Sequence, residues 1–129
     1  MAKRVKAVSK KCNGRYGGLL PATVKGLAKA YIADYDRRNR IIERGDERGR
    51  DEVRFRKINH IIDQVIISVL DMHGIFGQSA EMIAADIKSG RGGRNALSVV
   101  GGSCFLSRYL FEQVYDDVLW FVARELYLI

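Results

Sequence analysis

Few residues of this 129-residue chain are spaced for covalent chemistry. His60 and His73 stand 13 residues apart, and neither has a cysteine, carboxylate or second histidine at the spacing of a metal site or a catalytic triad. Both therefore read as packing or surface histidines. The acids come as adjacent pairs, Asp46-Glu47, Asp51-Glu52 and Asp116-Asp117. Neighbours on a helix diverge by about 100°, so such pairs cannot face one another across a substrate. Helix-start and solvent-face charges account for them. The segment Gly90-Arg91-Gly92-Gly93-Arg94 has the glycines of a phosphate loop, but it lacks the Lys-Ser/Thr of a P-loop and follows a helical pattern rather than a strand. Cys12 and Cys104 are a single pair, too few to staple a secreted scaffold, and read as free thiols. The inventory predicts neither an enzyme nor a metal site, and no cofactor.

The chemistry that the sequence does supply is non-covalent and cationic. The net charge is +7, and it is unevenly spread. Residues 1–57 carry 17 Lys/Arg against 7 Asp/Glu, whereas residues 58–129 carry 5 against 8. Clustered cations release counterions when they meet phosphates, so the first half favours a nucleic-acid partner. Residues 1–18 hold six cations (Lys3, Arg4, Lys6, Lys10, Lys11 and Arg15), no acid and three glycines, and read as a flexible basic arm. Arg37, Arg38, Arg40 and Arg44 follow on the polar face of the first predicted helix.

One domain is expected to position these groups, spanning residues 19–129. Leu20, Val24, Leu27, Tyr31, Tyr35 and Ile42 recur at helical steps, predicting one helix from Leu20 to about Arg44 with Pro21 in its first turn. The glycines of 45–50 should stop it. Asp51 and Glu52 then suit the positive end of a second helix, along which Phe55, Ile58, Ile62, Val65, Ile66, Val69 and Leu70 form an apolar stripe. Residues 19–73 thus read as a long antiparallel helical hairpin. A third helix is predicted over 79–88, with Ala80, Ile83, Ala84 and Ile87 turned inward and Gly90 ending it. A short helix is predicted from Asn95 to about Val100, and a last one from Ser103 or Ser107 to Leu128. The fold class is all-α.

The three C-terminal helices, residues 78–129, have the lengths of a helix-turn-helix-like unit. Ser107 and Arg108 would then face the major groove, with Arg108 carrying the forked donor that reads guanine. Lys88, Arg91 and Arg94 would hold phosphates. Three segments, Ile83–Gly92, Leu106-Ser107-Arg108-Tyr109 and Val122–Ile129, together with Leu20-Pro21 and Asp34–Arg38, resemble small helical prophage proteins. That group includes the late-gene transcription regulators of the RinA/ArpU type. The resemblance implies a sigma-factor-like helix-turn-helix and double-stranded DNA as partner. It departs at Glu112, Gln113, Asp116 and Asp117, which stand where that family carries cations, and the acids among them would repel phosphates.

Other readings stay open. The last helix is apolar over more than half its circumference, so it is either central to the core or half of an oligomer interface through Leu110, Val114, Val118, Trp120 and Phe121. A helical interaction or structural protein that forms homo-oligomers is the alternative to a DNA-binding regulator. Tyr16, Tyr31 and Tyr35 could stack on RNA bases, although core packing also explains their spacing. No membrane span and no signal-peptide apolar region is present, which places the chain in the cytoplasm with no membrane partner.

Overall fold

The computed structural model describes residues 14–45, 49–89, 99–100, 103–104 and 108–129. The protein is all-α, and the described residues form five helices: α1 (Ala22–Ala33), α2 (Tyr35–Arg44), α3 (Gly49–Met72), α4 (Gly77–Ser89) and α5 (Arg108–Glu125). The exception is a two-rung antiparallel ladder in which β1 (Val99–Val100) pairs with β2 (Ser103–Cys104). No helix among the described residues is long and apolar enough to cross a membrane.

The helix ends follow from residue chemistry. Pro21 precedes α1 in an extended conformation that needs no N–H, and its carbonyl accepts the Lys25 amide at 2.9 Å. Gly45 and Gly74 end α2 and α3 in the left-handed region, which lacks a penalty only for glycine. At Gly74 the two bonds of a Schellman motif are present, Ile75 N–H to Leu70 O and Gly74 N–H to Asp71 O, both at 2.9 Å. α5 ends in the same motif with Tyr127 at φ 60° in the glycine position.

The single first helix expected from Leu20 to Arg44 is instead two helices meeting at Asp34. The elbow lets α1 lie on α5 and α4 while α2 packs along α3. Tyr35 meets Asp63 and Arg38 meets Asn59, so α2 and α3 run antiparallel. Residues 19–73, expected as a hairpin of two long helices, thus hold three, with α1 packed mainly on α5 and α4. The same elbow explains why Leu27, predicted to face inward, is 52% exposed while neighbouring Ala28 is buried. Two other predictions are corrected. Val99–Val100 pair in a ladder where the end of a short helix was expected, and Ser103 belongs to that ladder rather than to the start of α5. Residues 95–98 and Ser107 lie outside the described residues.

α5 is the central helix. Phe111, Val114, Val118, Leu119, Val122 and Ala123 are buried, and they pack with Ile62, Ile66 and Val69 of α3, Ile32 of α1 and Ile83 of α4 in one core. Removing these side chains from water is the main force holding the helices together.

Candidate functional site

The α2/α3 seam carries a polar ladder that uses several of the predicted ligand-binding residues internally. The Tyr35 hydroxyl donates to the Asp63 carboxylate at 2.9 Å, and Lys88 of α4 joins the same carboxylate at 3.3 Å while lying 4.9 Å from the Tyr35 ring centre. Burial, reinforced by the Asp63 carboxylate, pushes the Tyr35 phenol far above its ordinary value, so it stays a donor. One turn on, Arg38 is 2% exposed. Its Nε donates to Asn59 Oδ1 at 2.7 Å and its Nη2 to the Tyr31 carbonyl, and Asn59 returns a bond to the Tyr35 carbonyl at 3.2 Å. The expectation that Arg38 lies on an exposed phosphate-binding face is therefore corrected. Its neighbours at i+4 and i−3 take it inward, where it ties the two helices together.

The other cations of the hairpin face solvent. Arg37 is exposed, bonded to Asp34 at 3.3 Å and stacked 5.7 Å from the Phe55 ring centre. Arg56 pairs with Glu52 at 3.1 Å. Arg40, Arg44, Arg54 and Lys57 are exposed and have no carboxylate partner among the described residues. Lys3, Arg4, Lys6, Lys10 and Lys11 lie outside the described residues, as do Arg91 and Arg94. Arg15 is exposed beside the Tyr16 ring. Arg108 is exposed in the first turn of α5. Lys88 is committed to Asp63 and is not a free phosphate ligand.

The basic arm, expected to span 1–18, is held to the core over its last residues. Asp117 of α5 is fully buried and its Oδ1 accepts the backbone N–H groups of Tyr16 at 3.0 Å and Gly17 at 2.8 Å. Its Oδ2 lies 2.7 Å from His73 Nε2, and both side chains are fully enclosed. A carboxylate only accepts, so Nε2 carries the proton. The Tyr16 ring stands edge-on to His73 at 5.2 Å. Glycine is required here: a Cβ on Gly14 would fall 2.0 Å from Asp117 Oδ1, and one on Gly17 would fall 2.7 Å from Trp120 Cβ. Asp116 is also buried, paired with Lys25 at 3.2 Å, and burial raises its carboxyl above the ordinary range.

These positions correct the view of Asp116 and Asp117 as solvent-face charges. Both acids point into the molecule, so they do not oppose a phosphate ligand on the surface. The signal was present in the sequence: acids flanked by the apolar residues of a helix that is apolar over more than half its circumference must face some neighbour, and Gly14 and Gly17 mark the backbone that comes close. His73 is a packing histidine, as its spacing suggested.

The predicted oligomer residues divide. Val114 and Val118 are 0% exposed and belong to the protein's own core, so they cannot meet a second chain. Leu110, Trp120 and Phe121 are half-buried, with Trp120 edge-on to Phe121 and Arg124 over both rings. No group of three or more metal-ligating side chains comes together among the described residues. Comparisons with protein-family models, with curated proteins and with solved structures find no match to this chain.

Proposed function

We propose that this chain is a nucleic-acid-binding protein that grips the phosphate backbone by charge, with double-stranded DNA as its partner. The observation that carries the reading is the charge left after internal pairing is removed. Arg40, Arg44 and Lys57 stay exposed on the α2/α3 hairpin without a carboxylate partner among the described residues. To them the sequence adds six cations and no acid before residue 19, and Asp117 ties Tyr16 and Gly17 of that segment to the core. Such an arrangement gives affinity and orientation without sequence readout. Of the acids on α5, Asp116 and Asp117 are turned inward, whereas Glu112 and Glu125 stay at the surface.

The setting we propose is that of a cytoplasmic, phage-related transcription regulator, on the resemblance of the segments named above. Its support is that resemblance and the charge, not a helix-turn-helix, since residues 99–100 and 103–104 form a ladder. A non-catalytic role agrees with a site built from cations rather than from reactive groups. Fluorescence anisotropy with a labelled duplex tests the reading. Reversing Arg40 and Arg44 to glutamate should weaken binding by at least about tenfold while leaving helical content unchanged. Unchanged affinity in the double variant would overturn it.

A further inference from the structure

A second site, independent of the duplex reading, lies at the elbow. Where α1 turns into α2 against the start of α3, an open cleft of about 420 Å³ is lined by Leu27, Tyr31, Phe55 and Ile58 on its apolar walls, by Arg37, Arg38 and Arg54, and by the single carboxylate of Asp34. That size suits a small organic ligand. Two features set the cleft apart from a surface dimple.

The first is an uncompensated buried cation. Arg38 is buried, yet the acceptors of its hydrogen bonds, the Asn59 amide oxygen and the Tyr31 carbonyl, are both neutral. No carboxylate lies within ion-pair distance of it among the described residues. Asp34 attracts it from farther off but is itself bonded to Arg37. A buried charge without a counter-charge is costly to maintain, and an anion in the cleft would supply the missing one. The second is a prepared pair of forks from facing helices. The Arg37 guanidinium lies 5.7 Å from the Phe55 ring centre, and exposed Arg54 has no carboxylate partner among the described residues. Planar guanidinium groups match phosphate oxygens two at a time. Next to them, the Phe55 and Tyr31 rings and the half-exposed Leu27 side chain offer a surface on which a flat ring can stack.

We infer that the elbow cleft of Arg37, Arg38, Arg54, Tyr31 and Phe55 binds a phosphomonoester carried on a flat ring, a nucleotide in chemical class. The phosphate sits between the Arg37 and Arg54 forks above Arg38, and the ring lies on Phe55 and Leu27. Two sources share this chemistry: a free nucleotide and the 5′-phosphorylated end of a strand.

Calorimetric titration of the full chain with AMP, with adenosine, and with a short single strand bearing either 5′-phosphate or 5′-hydroxyl tests the inference. AMP should bind with a Kd below about 1 mM and adenosine at least about tenfold more weakly. Arg54→Gln should weaken AMP binding by about tenfold or more. Asp34→Asn, which frees Arg37 from its acid, should tighten it several-fold. Phe55→Leu keeps an apolar wall and every charge, so it should weaken AMP but leave duplex affinity unchanged. The two readings fail separately: an unmodified chain that binds AMP but no duplex would sink the duplex reading alone. Binding of the 5′-phosphorylated strand but not its 5′-hydroxyl form assigns the strand end as source, and binding of AMP alone assigns the free nucleotide. Neither AMP nor the phosphorylated strand binding at about 5 mM, or AMP affinity unchanged in Arg54→Gln, would overturn the inference.

Discussion

Asp117 is the residue whose loss should most clearly expose the logic of the fold. Its carboxylate accepts Tyr16 N–H at 3.0 Å, Gly17 N–H at 2.8 Å and His73 Nε2 at 2.7 Å, all away from water. Hydrogen bonds to a charged group are worth about 1.5–3 kcal/mol each but are not additive, and donors left without an acceptor add their own penalty. Asp117→Ala should therefore destabilise the protein by about 4 kcal/mol, a large part of the roughly 5–15 kcal/mol that holds a domain of this size. Asp117→Asn should lose less, about 2 kcal/mol, because its oxygen still accepts the two backbone groups and only the His73 contact must be rebuilt. Urea unfolding followed by far-ultraviolet dichroism gives both values. The chain has one tryptophan, Trp120, and Gly17 packs against it, so fluorescence reports the local event separately. Release of residues 14–18 should shift Trp120 emission to the red at urea concentrations where the helices persist. A loss under about 0.5 kcal/mol for Asp117→Ala, within the range of ordinary surface substitutions, would refute the reasoning.

Four further outcomes follow from single residues. Lys25→Met leaves the buried Asp116 carboxylate without its partner at 3.2 Å and should destabilise by about 2 kcal/mol at neutral pH. Because burial raises the Asp116 carboxyl, the native state keeps its proton to higher pH than the unfolded chain. This group's contribution to stability therefore falls as pH rises through the window above the ordinary carboxylate value, and Asp116→Asn should flatten that limb of the pH–stability curve. The Tyr35 phenol is raised in the same sense, so stability should decline above about pH 10, where the unfolded phenol ionises and the native one does not. Tyr35→Phe should remove that decline while losing the Asp63 bond, as thermal unfolding at two pH values would show. Tyr127 occupies the left-handed position ending α5 and is 91% exposed, so Tyr127→Gly should stabilise by about 0.5–1 kcal/mol, read from the urea midpoint.

The helical stripes were legible in the sequence because burial on one face imposes a period. Ile58, Ile62, Val65, Ile66 and Val69 on α3 and Ala80, Ile83, Ala84 and Ile87 on α4 lie as that period requires. The elbow was not legible, since Asp34 is neither glycine nor proline and the step pattern from Leu20 to Ile42 continues across it. What bends the chain there is tertiary: α1 and α2 pack on different partners. The inward turn of Arg38, Asp116 and Asp117 was hidden for a related reason, as a charge is placed by partners distant in sequence that period alone does not reveal. Asp117 meets Tyr16 across 101 residues. The charge asymmetry, in contrast, needs no fold to be read, and it supplies the functional proposal.

The salt dependence of duplex binding tests that proposal most directly. If the six cations of residues 1–18 and the three exposed arginines of α2 each meet a phosphate, log Kd plotted against log salt should rise with a slope of about 8. A slope near zero, or no binding to any duplex at about 50 mM salt, would contradict it.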